Sequence, residues 1–160
     1  MYPSILFRLE MNELLEFQMN RFPYLLIDVA EEVSPGKYAR GYKNLSVNEW
    51  FFNSHFPGDP NMPGMLQIEA LIQMSALAIL CLPGNKGKIM YISKASNLHF
   101  KKKVLPGSVF CIETEVLRWR RGIADCKGVG MVNGEKACSG EFRLVLAGEM
   151  IYPNTESNVD

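Results

Sequence analysis

The sequence predicts an α+β domain in which an antiparallel β-sheet wraps around one long central α-helix. Two observations carry that prediction. Residues Met65–Cys81 contain no Gly or Pro and are apolar almost all round, which describes a helix buried on every side. From Ile89 to Leu146, long strand-like runs are separated by Gly-containing turns, the pattern of a β-meander. A chain of 160 residues is long enough for one such domain with its own core.

The elements follow in order. Residues 5–20 fit a short helix on the spacing of Leu9, Leu14, Leu15 and Phe17, while Phe7 and Leu9 also fit a strand. Arg21–Asp28 carries Pro23 and the apolar run Leu25-Leu26-Ile27. A strand over Val29–Val33, a turn at Ser34-Pro35-Gly36-Lys37 and a strand over Tyr38–Ser46 make a first hairpin. Asp28 reads as a buried carboxylate with structural partners rather than as a catalytic group. Asn48-Glu49-Trp50-Phe51-Phe52 is an aromatic cluster expected to pack in the core and brace the loop after it.

That loop, His55–Gly64, holds three prolines and two glycines in ten residues. Proline fixes φ and glycine admits positive φ, so the segment is a stiff, irregular loop. Pro63 falls near the first turn of the central helix, where a missing N–H costs little. At about 1.5 Å per residue the helix is roughly 25 Å long. Leu82–Lys88 (L-P-G-N-K-G-K) stops it. Further strands are expected at Ile89–Ser96, Leu98–Val104, Phe110–Arg118, Ile123–Val132 and Lys136–Leu146. Turns fall at Pro106-Gly107, Arg121-Gly122 and Asn133-Gly134, the last being the strongest short hairpin signal in the chain. Residues 1–147 read as one domain and 148–160 as a C-terminal tail, in which Met150, Ile151 and Tyr152 are apolar enough to dock.

Composition excludes several function classes. Lys plus Arg equals Asp plus Glu, so no overall field attracts nucleic acid. The longest apolar stretch, Met65–Leu82, carries Glu69, Gln67 and Gln73, which favours a buried helix over membrane insertion. Cys81, Cys111, Cys126 and Cys138 lack metal-like or CxxC spacing and read as small buried apolar residues in a reducing, cytoplasmic compartment. The two histidines are far apart in sequence, so no zinc site and no other cofactor is expected.

Chemistry concentrates between His55 and Gln73. The loop delivers an imidazole, the helix start delivers free N–H groups at Gly64 and Met65, and the helix delivers one carboxyl, Glu69, with Gln73 a turn later on the same stripe. A base, an anion-stabilising end and an acid are what proton transfer beside a carbonyl requires. Taken singly, each has a plainer reading. His55 could be structural or merely exposed, and Glu69 could face a subunit boundary or pair with an arginine.

The string H-F-P-G-D-P-N-M-P-G-M-L-Q-I-E-A-L-I-Q (His55–Gln73) resembles the active-site signature of the β-hydroxyacyl-[acyl carrier protein] dehydratases of type II fatty acid synthesis, H-F-P-G-x-P-x-M/F-P-G-V-L-x-x-E-A-L/M-A-Q. R-F-P-Y-L-L-I-D (Arg21–Asp28), K-N-L-S-V-N-E-W-F-F (Lys43–Phe52) and F-K-K-K-V-L-P-G-S (Phe100–Ser108) resemble further motifs of that family. R-R-G-I-A (Arg120–Ala124) and V-N-G-E-K-A-C (Val132–Cys138) have counterparts as well, so the resemblance runs over about residues 20–147, in order.

The resemblance implies a hot dog fold and the conversion of a (3R)-hydroxyacyl thioester to the trans-2-enoyl thioester. It makes His55 the base and Glu69 the acid or water-holding carboxyl, each site taking His55 from one chain of a homodimer and Glu69 from the other. A trimer of such dimers is the larger assembly it implies. Gly64 N–H would polarise the thioester carbonyl, with Met65, Phe56, Gln73 and Tyr91 as substrate-binding residues. Tyr91 aligns with a tyrosine that gates the acyl tunnel in some members; a plain strand aromatic is the other reading. The acyl group would ride on acyl carrier protein, for which Lys101, Lys102, Arg118, Arg120 and Arg121 are docking candidates. Lysines that blunt a strand edge are the other reading of that set.

This sequence also departs from the family pattern. Asp59 replaces the usual His, Lys or Asn, and Lys103 replaces a usual proline. Met65 and Gln67 replace more usual Val and Ile or Leu. A bifunctional dehydratase/isomerase branch has Asp at the position of Asp59, but also Asp at that of Glu69 and the loop H-F-I-G, so this chain sides with the dehydratase-only branch. The competing readings are a hot dog acyl thioesterase and a non-catalytic acyl-binding paralogue. The second should have lost the His or the Glu, and both are present.

Overall fold

Arg121-Gly122 and Asn133-Gly134 each place two successive residues at positive φ (51° and 74°; 52° and 77°), the two-residue hairpin geometry that matches strand twist. The structure is a computed structural model and describes residues 6–148. The elements are β1 (Phe7–Leu9), α1 (Met11–Phe17), β2 (Val29–Ser34), β3 (Tyr38–Asn44), α2 (Gly64–Leu80), β4 (Met90–Phe100), β5 (Val109–Arg120), β6 (Ile123–Val132) and β7 (Glu135–Leu146). The strands form one seven-stranded antiparallel sheet in the order β1-β2-β3-β5-β6-β7-β4.

The sheet is buried on one face, which the alternation of buried and open residues along β6 displays. Helix α2 lies against that face. A Cβ on Gly128 would meet Leu71 Cβ at 3.2 Å, so helix and sheet approach about as closely as the small residue allows. Thirteen of the seventeen residues of α2 are buried within the single chain. Its remaining open stripe runs through Met65, Glu69 and Ile72, on i, i+4, i+7 spacing. The one carboxylate of the helix therefore stands on the one stripe the sheet leaves uncovered.

Cys126 and Cys138 are buried as expected, but Cys111 is exposed, because it falls on the open face of β5, and three expectations about the elements are refined. Residues 5–20 hold a strand and a helix in succession, because Phe7 and Leu9 pair with β2 while Leu14 turns into the core. The central helix begins and ends one residue earlier than expected, with Pro63 at the N-cap. The two strands expected at Ile89–Ser96 and Leu98–Val104 are a single strand, β4. Asn97 takes φ 52°, and the register with β7 slips between Ser96 and His99, so the break read there is a bulge inside one strand. Met150, Ile151 and Tyr152 lie outside the described residues. No helix among the described residues is long and apolar enough to cross a membrane.

Candidate active site

The loop that carries His55 is anchored before it begins. Lys43 on β3, its side chain only 8% exposed, lies 3.0 Å from Glu49 and 3.5 Å from Asp28. Asp28 also accepts a hydrogen bond from Asn44 N at 2.7 Å, so its role here is structural. Phe51 and Phe52 pack edge-to-face in the core with centroids 4.7 Å apart, and Trp50 Nε1 donates to the Pro23 carbonyl at 3.1 Å. His55 N then donates to Phe51 O at 2.9 Å, which sets where the irregular loop departs.

His55 is partly buried, with Nδ1 2.9 Å from the Asn61 carbonyl oxygen. A carbonyl can only accept, so Nδ1 carries a proton, and in the neutral ring the lone pair is on Nε2. The Phe56 ring lies over the imidazole with centroids 4.0 Å apart and remains half exposed. An imidazole held in one tautomer, with its basic nitrogen left free, is equipped to take a proton.

Gly64 opens α2. A Cβ there would fall 2.8–3.2 Å from the Phe100 ring, so only glycine lets the helix start pass beneath that aromatic. The N–H groups of Gly64 and Met65 have no backbone partner among the described residues. They sit at the positive end of the helix. Met65 is exposed beside them.

Glu69 stands on the second turn of α2, where burial pushes its carboxyl above the ordinary value and a hydrogen bond from Gln73 pulls the other way. Gln73 Nε2 donates to Glu69 Oε1 at 2.9 Å and to the Tyr24 carbonyl at 2.8 Å, while its Oε1 accepts from Leu26 N at 2.9 Å. Gln73 thus fixes the carboxyl against the segment before β2. Burial, and then the nearby Glu69 charge, also raise the Tyr24 hydroxyl. Glu69, Gln73 and Tyr91 share a cleft of about 400 Å³, also lined by Ile72, Ala76 and Leu80. Its lining mixes apolar side chains with Gln18, Asn20 and Lys88.

The structure brings Glu69, Gln73 and Tyr91 together in one cleft, stacks Phe56 on His55, and sets Gly64 and Met65 at the start of α2, with Gly64 against Phe100. His55 does not line the Glu69 cleft. The basic residues also divide into two groups. Lys101 and Lys102 follow the Phe100 end of β4, which pairs with Cys138, whereas Arg118, Arg120 and Arg121 lie at the β5–β6 turn, near the Met90 end. The eleven residues of β4 put roughly 33 Å between those ends. Lys102 is paired with Glu135 at 2.7 Å and Arg118 with Asp125 at 3.7 Å, while Lys101, Arg120 and Arg121 make no ion pair among the described residues.

Two contributors escaped the sequence reading. Asn61 acts on His55 through its main-chain carbonyl, which no side-chain pattern announces. Lys43 holds the His55 loop from a distance, and the only signal for it was the company of Glu49 within one motif. Among the described residues, no three His, Cys, Asp or Glu side chains cluster as a metal site would require.

Comparison with known proteins fits this geometry. The model of the FabA-like domain matches residues 19–141. A 3-hydroxyacyl-[acyl-carrier-protein] dehydratase FabZ of Clostridium novyi is 44% identical over 138 residues, covering 86% of this chain and 97% of that protein. The FabZ of Bacillus subtilis is 43% identical over 138 residues, with 86% and 98% covered. Among solved structures, the dehydratase heterocomplex ApeI:P from Xenorhabdus doucetiae superposes with a TM-score of 0.71 at 15% identity, covering 89% of this chain and 91% of that one. A hypothetical thioesterase with coenzyme A from Streptococcus pneumoniae gives 0.56 at 16% identity, with 71% and 81% covered. Those two likenesses establish the hot dog fold, and the sequence matches establish descent: the chain belongs to the FabA-like family, in its FabZ group of 3-hydroxyacyl-[acyl-carrier-protein] dehydratases.

Proposed function

We propose that this protein removes water from a (3R)-hydroxyacyl group carried as a thioester on acyl carrier protein, leaving the trans-2-enoyl thioester, in cytoplasmic fatty acid or related acyl-chain synthesis. His55 Nε2 takes the α-proton. The negative charge that develops on the thioester oxygen is met by Gly64 N–H at the positive helix end. Glu69, whose protonated form burial favours, gives its proton to the β-hydroxyl, which leaves as water as the double bond forms. The observation that carries this reading is the His55–Asn61 hydrogen bond, which leaves Nε2 as the free base.

The separation of His55 from the Glu69 cleft supports a shared site in a homodimer. Strand β4 is an edge strand of eleven residues, with Tyr91, Ile92 and Phe100 each about half exposed. Such an edge is a template for another strand. A second β4 pairing antiparallel across a two-fold axis sets the Met90 end of one chain against the Phe100 end of the other. Tyr91 lines the Glu69 cleft, and Phe100 covers Gly64. The pairing therefore carries the Glu69 cleft of one chain toward His55 and Gly64 of its partner. It also brings Lys101 and Lys102 toward the arginine group of the partner, assembling one positive surface for an acidic carrier. A trimer of such dimers is the expected larger assembly.

Hydration of crotonyl-carrier protein, followed by loss of enoyl absorbance, tests the reaction in reverse. The His55→Ala and Glu69→Gln variants should each lose about 10²–10⁴ of the wild-type kcat while keeping the oligomer. Thioester cleavage without hydration by the wild type would give the site to a thioesterase instead.

A further inference from the structure

Two departures from the family pattern, Asp59 and Lys103, meet in the structure. Lys103 Nζ lies 2.8 Å from both carboxylate oxygens of Asp59. Asp59 flanks the Pro57-Gly58 turn of the His55 loop. Phe56 N donates to Asp59 O at 3.0 Å and Asp59 N to Phe56 O at 2.9 Å, while Asn61 N donates to His55 O at 2.9 Å. The segment from His55 to Asn61 is thus a narrow hairpin. The imidazole and the carbonyl that holds it stand at its base, Pro57-Gly58 make its tip, and Asp59 closes that turn opposite Phe56.

The base of this hairpin is fixed to the chain after β4. Met62 N donates to Val104 O at 2.8 Å, and Val104 N donates to Asn61 Oδ1 at 2.8 Å. The tip has less support: a Cβ on Gly58, at φ 79°, would meet nothing within 4 Å. Lys103 immediately precedes Val104 and carries the same attachment outward to the tip. A proline at that position, as in the resembled pattern, offers no cation.

We propose that Asp59 and Lys103 form a positioning ion pair that fixes the His55 hairpin against the segment after β4 and so sets the aim of the imidazole. The proposal rests on reading His55 as the base. Both side chains are more than half exposed, so their attraction is screened and adds little to global stability. Its effect falls on a loop whose small displacements change the geometry of proton transfer. The two departures make sense together, since either alone leaves an unmatched charge beside the hairpin.

The test compares wild type, Asp59→Asn, Lys103→Gln, the double variant, and the exchanged pair Asp59→Lys with Lys103→Asp. Crotonyl-carrier hydration gives kcat and KM. Nitrogen NMR of histidine-labelled protein reports the fraction of His55 protonated at Nδ1. Each single variant should lose about two- to fivefold in kcat with KM held, and a smaller fraction of its His55 should carry the proton at Nδ1. The double variant should be no worse than either single, and the exchanged pair should recover at least half of the loss. Salt at about 0.5 M should move the wild type toward the single variants and leave the double variant unmoved. Losses that multiply in the double variant, or single variants that match wild type in both kcat and tautomer, overturn the proposal. A change in KM alone also overturns it, placing Lys103 in carrier docking instead. If the wild type fails to turn over the thioester, the dehydratase reading fails, and the NMR series still decides the ion pair.

Discussion

His55 stands on a ten-residue loop rich in proline and glycine, and Glu69 on the second turn of a helix that is mostly buried. The two side chains are prepared by different physics. The imidazole is set by hydrogen bonding, because the Asn61 carbonyl decides which ring nitrogen keeps the proton. The carboxyl is set by desolvation, because the core around α2 makes its charged form costly. A loop can present a nitrogen to substrate only if its main chain is tied at several points. A helix can raise the pKa of its one acid by burial only if it is packed almost everywhere else.

The sharpest contrast comes from damaging one support and reading the other. Leu71 is fully buried and faces the sheet beside Gly128. Leu71→Ala should destabilise the fold by about 2–5 kcal/mol, seen as an earlier urea midpoint at unchanged slope. The Nδ1-protonated form of His55 should persist in that variant, because the loop is held from β3 and from Val104 rather than from the middle of α2. Loss of the tautomer with the core would mean that the two regions are one mechanical unit.

A smaller effect isolates the desolvation of Glu69. Its folded-state pKa is raised, so on a pH rise the unfolded chain gives up this proton first. The stability that neutral Glu69 contributes is therefore full below about pH 4, where both states are protonated, and is lost as pH rises through the folded pKa. Glu69→Gln cannot ionise. Its Tm should match wild type near pH 4 and exceed it increasingly toward neutral pH. A Tm difference independent of pH would show that the carboxyl is not held neutral by burial.

Much of this was legible in the sequence. Helix α2 was marked by its all-round apolar character, and the last two hairpins by Arg121-Gly122 and Asn133-Gly134, where local chemistry dictates local shape. The hot dog arrangement followed from the resemblance and from the order of the elements. What was hidden depends on contacts between distant segments. Asn97 reads as a break, yet pairing with β7 on both sides keeps β4 continuous. Lys101–Lys103 and Arg118–Arg121 are near in sequence but lie at opposite ends of a strand, because a meander carries the chain the length of the sheet between them. The meeting of Asp59 with Lys103 spans forty-four positions and joins two loops, which no periodicity records.

The central claim is that His55 and Glu69 act on one substrate from different chains. Co-expression of His55→Ala and Glu69→Gln protomers with different tags, followed by purification of the mixed dimer, tests it most directly. A shared arrangement leaves one intact and one doubly defective site, so the mixed dimer should hydrate crotonyl-carrier protein at about half the wild-type rate although each parent is nearly inactive. A mixed dimer as inactive as its parents would contradict the account and place both residues in a site within one chain.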